Sequence, residues 1–186
     1  MITMSTLIQK IQKEIYPKLK STFGIENINA VPKIQKIVIN VGIRSDLKDA
    51  KEVENIVEDL KLITGQAPVK TLAKKSIASF KTREGQVVGL MVTLRGARMN
   101  QFLDKLFNVT LARVRDFRGL PGNAFDASGN YSIGLKDQLA FPEILPDNVK
   151  QVFGMQVTIV TRANTPEQAK EFLKLIGLPI KKEDNG

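Results

Sequence analysis

The chain has 186 residues, 42% of them hydrophobic, a formal net charge of +9, and neither cysteine nor histidine. That apolar share supports a packed core and argues against intrinsic disorder. The missing residue types exclude a disulfide scaffold, a zinc–thiolate site and a thiol nucleophile, and remove the commonest general base and transition-metal ligand. The positive excess favours a polyanionic partner, and it is concentrated: residues 66–118 carry 11 basic and 3 acidic side chains, against 10 and 8 in residues 1–65 and 7 and 8 in residues 119–186. A concentrated field marks a binding surface more than it marks general solubility. No apolar run reaches the roughly 20 residues that span a bilayer, so no membrane partner is expected. The first ten residues lack an apolar signal region, so no secretory leader is expected either.

In chain order, Leu7, Ile8, Ile11, Ile15 and Leu19 recur at helical spacing, with Pro17 placed to bend or shorten that helix. Residues 34–41 read as a strand with Ile37, Ile39 and Val41 on one face and Lys36, Val38 and Asn40 on the other. Ala50, Val53, Ile56, Val57 and Leu60 mark a second amphipathic helix, ended by Gly65. Residues 69–73 suit a short strand, residues 74–86 form a basic segment without periodicity, and residues 88–95 give the clearest strand, with Gly89, Met91, Thr93 and Arg95 facing away from Val88, Leu90, Val92 and Leu94. A third helix turns Met99, Phe102, Leu103, Leu106 and Thr110 inward. Residues 117–130 form a long loop rich in Gly, Pro, Asn and Ser, and long loops tend to be functional or mobile. A hairpin is expected at residues 131–141 and a strand at 154–162. Thr165, Pro166 and Gln168 spell a capping box before a last helix that buries Ala169, Phe172, Leu173 and Ile176. Residues 181–186 read as a polar tail. These elements predict a single α+β domain over residues 1–186: a mainly antiparallel sheet with helices packed on one face, the opposite face and loops left free for a partner.

The chemistry of catalysis is not visible. Asp116, between Arg115 and Arg118, reads as a local ion pair. Gly119, Pro121 and Gly122 spell neither a phosphate loop nor a dinucleotide fingerprint, and Asp126 with Asn130 lacks the spacing of a calcium loop. No metal, no cofactor and no enzymatic activity are expected. Binding chemistry is visible instead. Lys70, Lys74, Lys75, Lys81 and Arg83 fall within fourteen residues and suit phosphate neutralisation. Arg113, Arg115 and Arg118 add guanidinium groups suited to paired hydrogen bonds with phosphate, or to bracing the loop. Aromatic residues make up only 6% of the chain, which disfavours a sheet that stacks bases on aromatic rings. Outward polar strand residues such as Asn40 and Thr93 suit hydrogen bonds to ribose, phosphate or base edges, and equally suit plain solvent exposure.

Seven segments in order carry a resemblance: KIVINVG (residues 36–42), ITGQAPV (63–69), KKSIASFKTREG (74–85), VTLRGARM (92–99), RDFRGL (115–120), FDASGNYSIG (125–134) and FPEI (141–144). Together they resemble the family of large-subunit ribosomal protein five, over about residues 7–179. The chain departs from that family's usual pattern at Ser79, Ala127, Ser128, Pro146 and Asp147, and in its longer tail. The resemblance implies a structural protein of the large ribosomal subunit, on a cytoplasmic or organellar ribosome. It implies binding of 5S rRNA in the central protuberance and docking of that RNA onto the large rRNA, beside other large-subunit proteins. It further implies that Asn40, Gln66 and Thr93 contact rRNA, with Lys70 and Arg95 beside them. The loop bearing Lys74, Lys75, Ser76, Phe80, Lys81 and Arg83 is expected to reach P-site tRNA. The segment after the third helix, with Arg113, Arg115 and Arg118, is expected to face RNA or a protein of the small-subunit head. A general nucleic-acid chaperone explains the charge as well but not the ordered motifs, and an RNA-processing enzyme needs an acid/base pair that is not found.

Overall fold

The computed structural model describes residues 14–25, 27–43, 50–80, 82–145 and 149–181, the side chains of residues 28, 50 and 80 excepted. Leu7, Ile8, Ile11, Lys81, the Phe80 side chain and residues 182–186 of the tail therefore lie outside the described residues. Helix α1 (Tyr16–Phe23) has Pro17 in its opening turn, directly after a wider π-type turn at Glu14 and Ile15. Such a turn is one way a helix absorbs the N–H that proline lacks. Ile15 and Leu19 are its buried anchors.

Strand β1 (Lys33–Gly42) alternates as its sequence predicts: Ile37, Ile39 and Val41 are buried, while Asn40 and Gly42 are exposed. Helix α2 (Ala50–Thr64) buries Val53, Ile56, Leu60 and Ile63. It stops at Gly65, whose φ of 68° suits glycine and whose N–H closes on the Lys61 carbonyl at 2.8 Å. Strand β2 (Val69–Leu72) runs antiparallel to β3 (Val87–Leu94), pairing Val69 with Met91, Lys70 with Leu90 and Thr71 with Gly89 before the register shifts at Thr71/Leu72. Helix α3 begins as Gly96–Lys105, widens into a π turn at Leu106–Thr110, and ends at Leu111–Arg113. Its inward residues are Met99, Phe102, Leu103, Leu106 and Thr110, as expected. Strands β4 (Tyr131–Leu135) and β5 (Met155–Arg162) and helix α4 (Pro166–Ile176) complete the chain. The five strands form one antiparallel sheet in the order β2-β3-β1-β5-β4, and the fold is α+β.

The chain divides into two compact units, residues 38–94 with 134–157, and residues 1–37 with 95–133 and 158–186, the division falling within β1, β4 and β5. In the first unit α2 packs on β3, whose Leu90, Val92 and Leu94 are buried on that side. In the second, α1 packs on α4.

Three local expectations need correction. Residues 131–141 do not form a hairpin. After β4 the chain turns inward, and buried Gln138 accepts the Phe153 N–H at 3.0 Å and donates to the Gln151 carbonyl. The segment finds its partners in residues 151–153 rather than locally. The capping box at α4 is half formed: Thr165 Oγ1 accepts the Gln168 N–H at 3.4 Å, but Gln168 Oε1 is buried without a partner. Finally, no ion pair joins Asp116 to Arg115 or Arg118 among the described residues; Asp116 instead takes a positive φ of 52° between two exposed arginines.

Candidate nucleic-acid interface

Because β1 and β3 bury Ile37, Ile39, Val41 and Leu90, Val92, Leu94, the residues between them face the other way. On that outward face Asn40 is exposed and Thr93 half-buried. Gln66 belongs to the link between α2 and β2, not to a strand. Its Nε2 donates to the Thr93 carbonyl at 3.2 Å, so its amide is tied to β3 at the level of Thr93. The orientation follows from chemistry, since a carbonyl accepts only from the NH₂ end. Thr64 fixes the link: its one hydroxyl proton is within reach of the carbonyls of Leu60 at 2.6 Å and Gln66 at 2.9 Å, and its oxygen accepts the Gln66 N–H at 3.2 Å. Asn40, Gln66 and Thr93 thus belong to one compact unit, with Gln66 and Thr93 in direct contact.

Lys70 is placed differently. Its register partner is Leu90, so it points to the side of the sheet that carries the core, and it is exposed because β2 is an edge strand. The outward residues of β2 are Val69, 63% exposed beside Met91, and Thr71 beside Gly89. A Cβ on Gly89 would lie 2.8 Å from Thr71 Oγ1 and 3.0 Å from the Val41 carbonyl oxygen, so glycine is what lets the three strands close up here. Thr71 and Val69 join outward Met91 as interface candidates, and alternation alone could not assign those two because the β2 register was unknown. Gly89 inside a strand pattern was the available signal of close approach.

Residues 73–86 extend from the β2–β3 end as an exposed loop. Ala73 N–H donates to the Gln86 carbonyl at 2.8 Å and Gly85 N–H to the Ala73 carbonyl at 3.0 Å; higher up, Ile77 and Thr82 exchange backbone bonds of 2.9 and 3.1 Å around a short 3₁₀ turn, Ala78–Phe80. Ser76 Oγ accepts the Glu84 N–H at 2.9 Å, so this serine braces the loop. Lys74, Lys75 and Arg83 are exposed, and no carboxylate pairs with them among the described residues. Arg95 opens α3 in extended conformation and reaches the Gln35 carbonyl at 3.4 Å. Arg113 ends α3, and Arg115 and Arg118 follow it, all three exposed in the other unit. Among the described residues no group of three metal-ligating side chains gathers, and no helix is long and apolar enough to cross a membrane.

Residues 27–83 match the family described as ribosomal protein L5, and residues 87–180 match the model of that ribosomal family's C-terminus. The chain belongs to the ribosomal protein L5 family. Its curated relatives include the large ribosomal subunit protein uL5 of Thermoanaerobacter sp. (strain X514), 51% identical over 179 residues that cover 96% of this chain and 100% of the relative. Another is the large ribosomal subunit protein uL5 of Desulforapulum autotrophicum, 53% identical over 178 residues, 96% of this chain and 99% of the relative. As a member of this family the chain is a structural, RNA-binding, non-enzymatic constituent of the large ribosomal subunit, ribosome-bound in the cytoplasm.

Proposed function

We propose that the chain acts as a single binding domain that holds 5S rRNA in the central protuberance and helps attach it to the large-subunit rRNA and neighbouring proteins. Asn40 and Thr93 contact the RNA directly, Gln66 beside them offers its free Oε1, and Lys70 and Arg95 supply charge at the margins. The observation that carries this reading is the outward, uncommitted pair Asn40 and Thr93 on a sheet whose other face is core, with Gln66 anchored at Thr93. We further propose that the loop with Lys74, Lys75, Ser76, Phe80, Lys81 and Arg83 reaches P-site tRNA. The segment with Arg113, Arg115 and Arg118 then faces the small-subunit head at an intersubunit bridge. Lys74, Lys75, Arg83, Arg113, Arg115 and Arg118, exposed and without a carboxylate partner among the described residues, support both assignments, because charge not spent on internal carboxylates is available to phosphate.

Asn40→Ala and Thr93→Ala are each expected to weaken 5S rRNA binding by about 1–3 kcal/mol, with the unfolding midpoint nearly unchanged since neither side chain serves the core. Filter binding against a scrambled RNA of equal length at fixed salt reads this. Folded variants that bind 5S rRNA as wild type does would remove both residues from the interface.

A further inference from the structure

We propose that the groove between the outer stripe of α2 and residues 149–152 is a protein-docking site, occupied by a basic segment of another polypeptide. That segment sets an apolar side chain against Leu62 and a lysine or arginine against Glu58 and Asp59. The spacing of Asn55, Glu58, Asp59 and Leu62 puts them on one helix stripe. They face Val149, Lys150 and Gln151 across a groove of about 510 Å³.

The groove is built by specific bonds. Its far wall is anchored from beneath by Gln138, which is fully buried and holds both the Gln151 carbonyl and the Phe153 N–H. The same side chain lies near enough to Asp59 on α2 to favour its charged carboxylate, so one glutamine stands between the two walls. Lys150 Nζ donates to Asn55 Oδ1 at 3.2 Å across the groove.

Several observations select the occupant. Leu62 on the groove wall is 61% exposed, apolar surface that the core does not use. Gln151, which lines the groove, has its Oε1 buried without a hydrogen-bond partner, an acceptor still lacking a donor. Burial raises the Asp59 carboxyl above its ordinary range, the Gln138 hydrogen bond opposes this, the Glu58 charge adds to it and Lys150 opposes it. A further cation in the groove would relieve that strain. Helix α2 carries Glu52, Glu54, Glu58 and Asp59 against Lys51 and Lys61, an acidic surface on a chain of net charge +9. Phosphate is repelled here while the rest of the molecule attracts it, so the occupant is a polypeptide and not RNA. The groove is lined by none of Asn40, Gln66 and Thr93, and the proposal does not depend on how those residues read RNA.

The test replaces Leu62 with the photoreactive residue p-benzoylphenylalanine, incorporates the protein into large subunits, and irradiates them, with the same replacement at Val69 on the outward sheet face for comparison. Position 62 is expected to cross-link to a protein, through a peptide with lysine or arginine next to the attachment point. The near-isosteric pair Glu58→Gln with Asp59→Asn is expected to lower that yield about fivefold or more while 5S rRNA affinity stays within about twofold. A cross-link from position 62 to rRNA, no cross-link from assembled subunits, or a yield indifferent to the paired substitution would overturn the proposal.

Discussion

Two long loops, residues 73–86 and residues 121–131, differ in what they do with their polar groups. The second spends them internally. Asp126 accepts the N–H groups of Ser128 at 2.9 Å and Asn130 at 2.8 Å, and the Asn130 side-chain amide at 2.7 Å. Asn130 Oδ1 in turn accepts the Thr161 N–H at 3.0 Å, and the Thr161 hydroxyl donates to the Gly129 carbonyl at 2.8 Å. Tyr131 donates to the Pro121 carbonyl at 2.7 Å and packs on Phe125 with ring centroids 4.5 Å apart. The loop at 73–86 closes on itself through backbone bonds and leaves Lys74, Lys75, Arg83 and Glu84 exposed. A loop whose polar groups are consumed is part of the scaffold; one that leaves them unspent presents them to a partner.

The sharpest way to break this comparison uses two glycines with the same φ of +78°. A Cβ on Gly129 would meet the Ala169 Cβ at 2.6 Å, whereas one on Gly85 would meet nothing within 4 Å. Gly129→Ala is expected to cost about 3–5 kcal/mol, a left-handed penalty plus overpacking against α4, and Gly85→Ala only about 1–2 kcal/mol for the backbone alone. Urea unfolding of both proteins compares them. Equal losses would show that the 121–131 loop is not packed as described.

Next in size is Asp126→Ala, expected to cost about 1–2 kcal/mol because three donors lose their acceptor at a partly solvated site. Burial pushes the Asp126 carboxyl up, but the hydrogen bonds from Asn130 and Ser128 outweigh it and leave the pKa below the ordinary 3.8. A lowered folded pKa means the stabilisation is present above pH 3.8 and fades as pH falls through the folded value. The alanine variant is expected to lose less stability than wild type across that acid range.

Tyr131 gives the mirror case at high pH. Burial raises its phenol from 10.0 to about 12, so stability is full below pH 10 and falls as pH rises toward 12. Tyr131→Phe is expected to cost about 1 kcal/mol at neutral pH, leaving the Pro121 carbonyl unpaired, and to flatten that alkaline loss. An alkaline loss of unchanged size in the variant would assign it to other groups. The smallest stability effect is expected in the exposed loop: neutralising Lys74, Lys75, Lys81 and Arg83 together changes unfolding by about 0.5 kcal/mol or less. It spares much of the affinity for isolated 5S rRNA, and the loss appears with tRNA on assembled ribosomes.

The strands of the candidate interface were legible because a period of two survives in sequence. Ile37, Ile39 and Val41 predicted where Asn40 points, and Leu90, Val92 and Leu94 did the same for Thr93. What periodicity cannot show is which residue lies beside which. Lys70 sits beside Leu90, away from Asn40, because of a pairing register and a shift at Thr71/Leu72 set by tertiary structure. The inward turn after β4 was hidden for the same reason, since its partners lie at residues 151–153. Composition marked residues 74–86 as basic and residues 117–130 as rich in glycine, proline, asparagine and serine, but it could not show that Asp126 and Asn130 are spent on internal hydrogen bonds.

The central claim, that the outward face recognises 5S rRNA through specific polar contacts as well as charge, is tested most directly by titrating 5S rRNA and a scrambled RNA of equal length at several potassium concentrations. About three to five phosphate contacts predict a slope of roughly 2–4 in log affinity against log salt for 5S rRNA, with binding that persists at high salt and exceeds that of the scrambled RNA throughout. Equal affinities for the two RNAs with a shared slope of about 6 or more would mean that charge alone does the binding, and would contradict the claim.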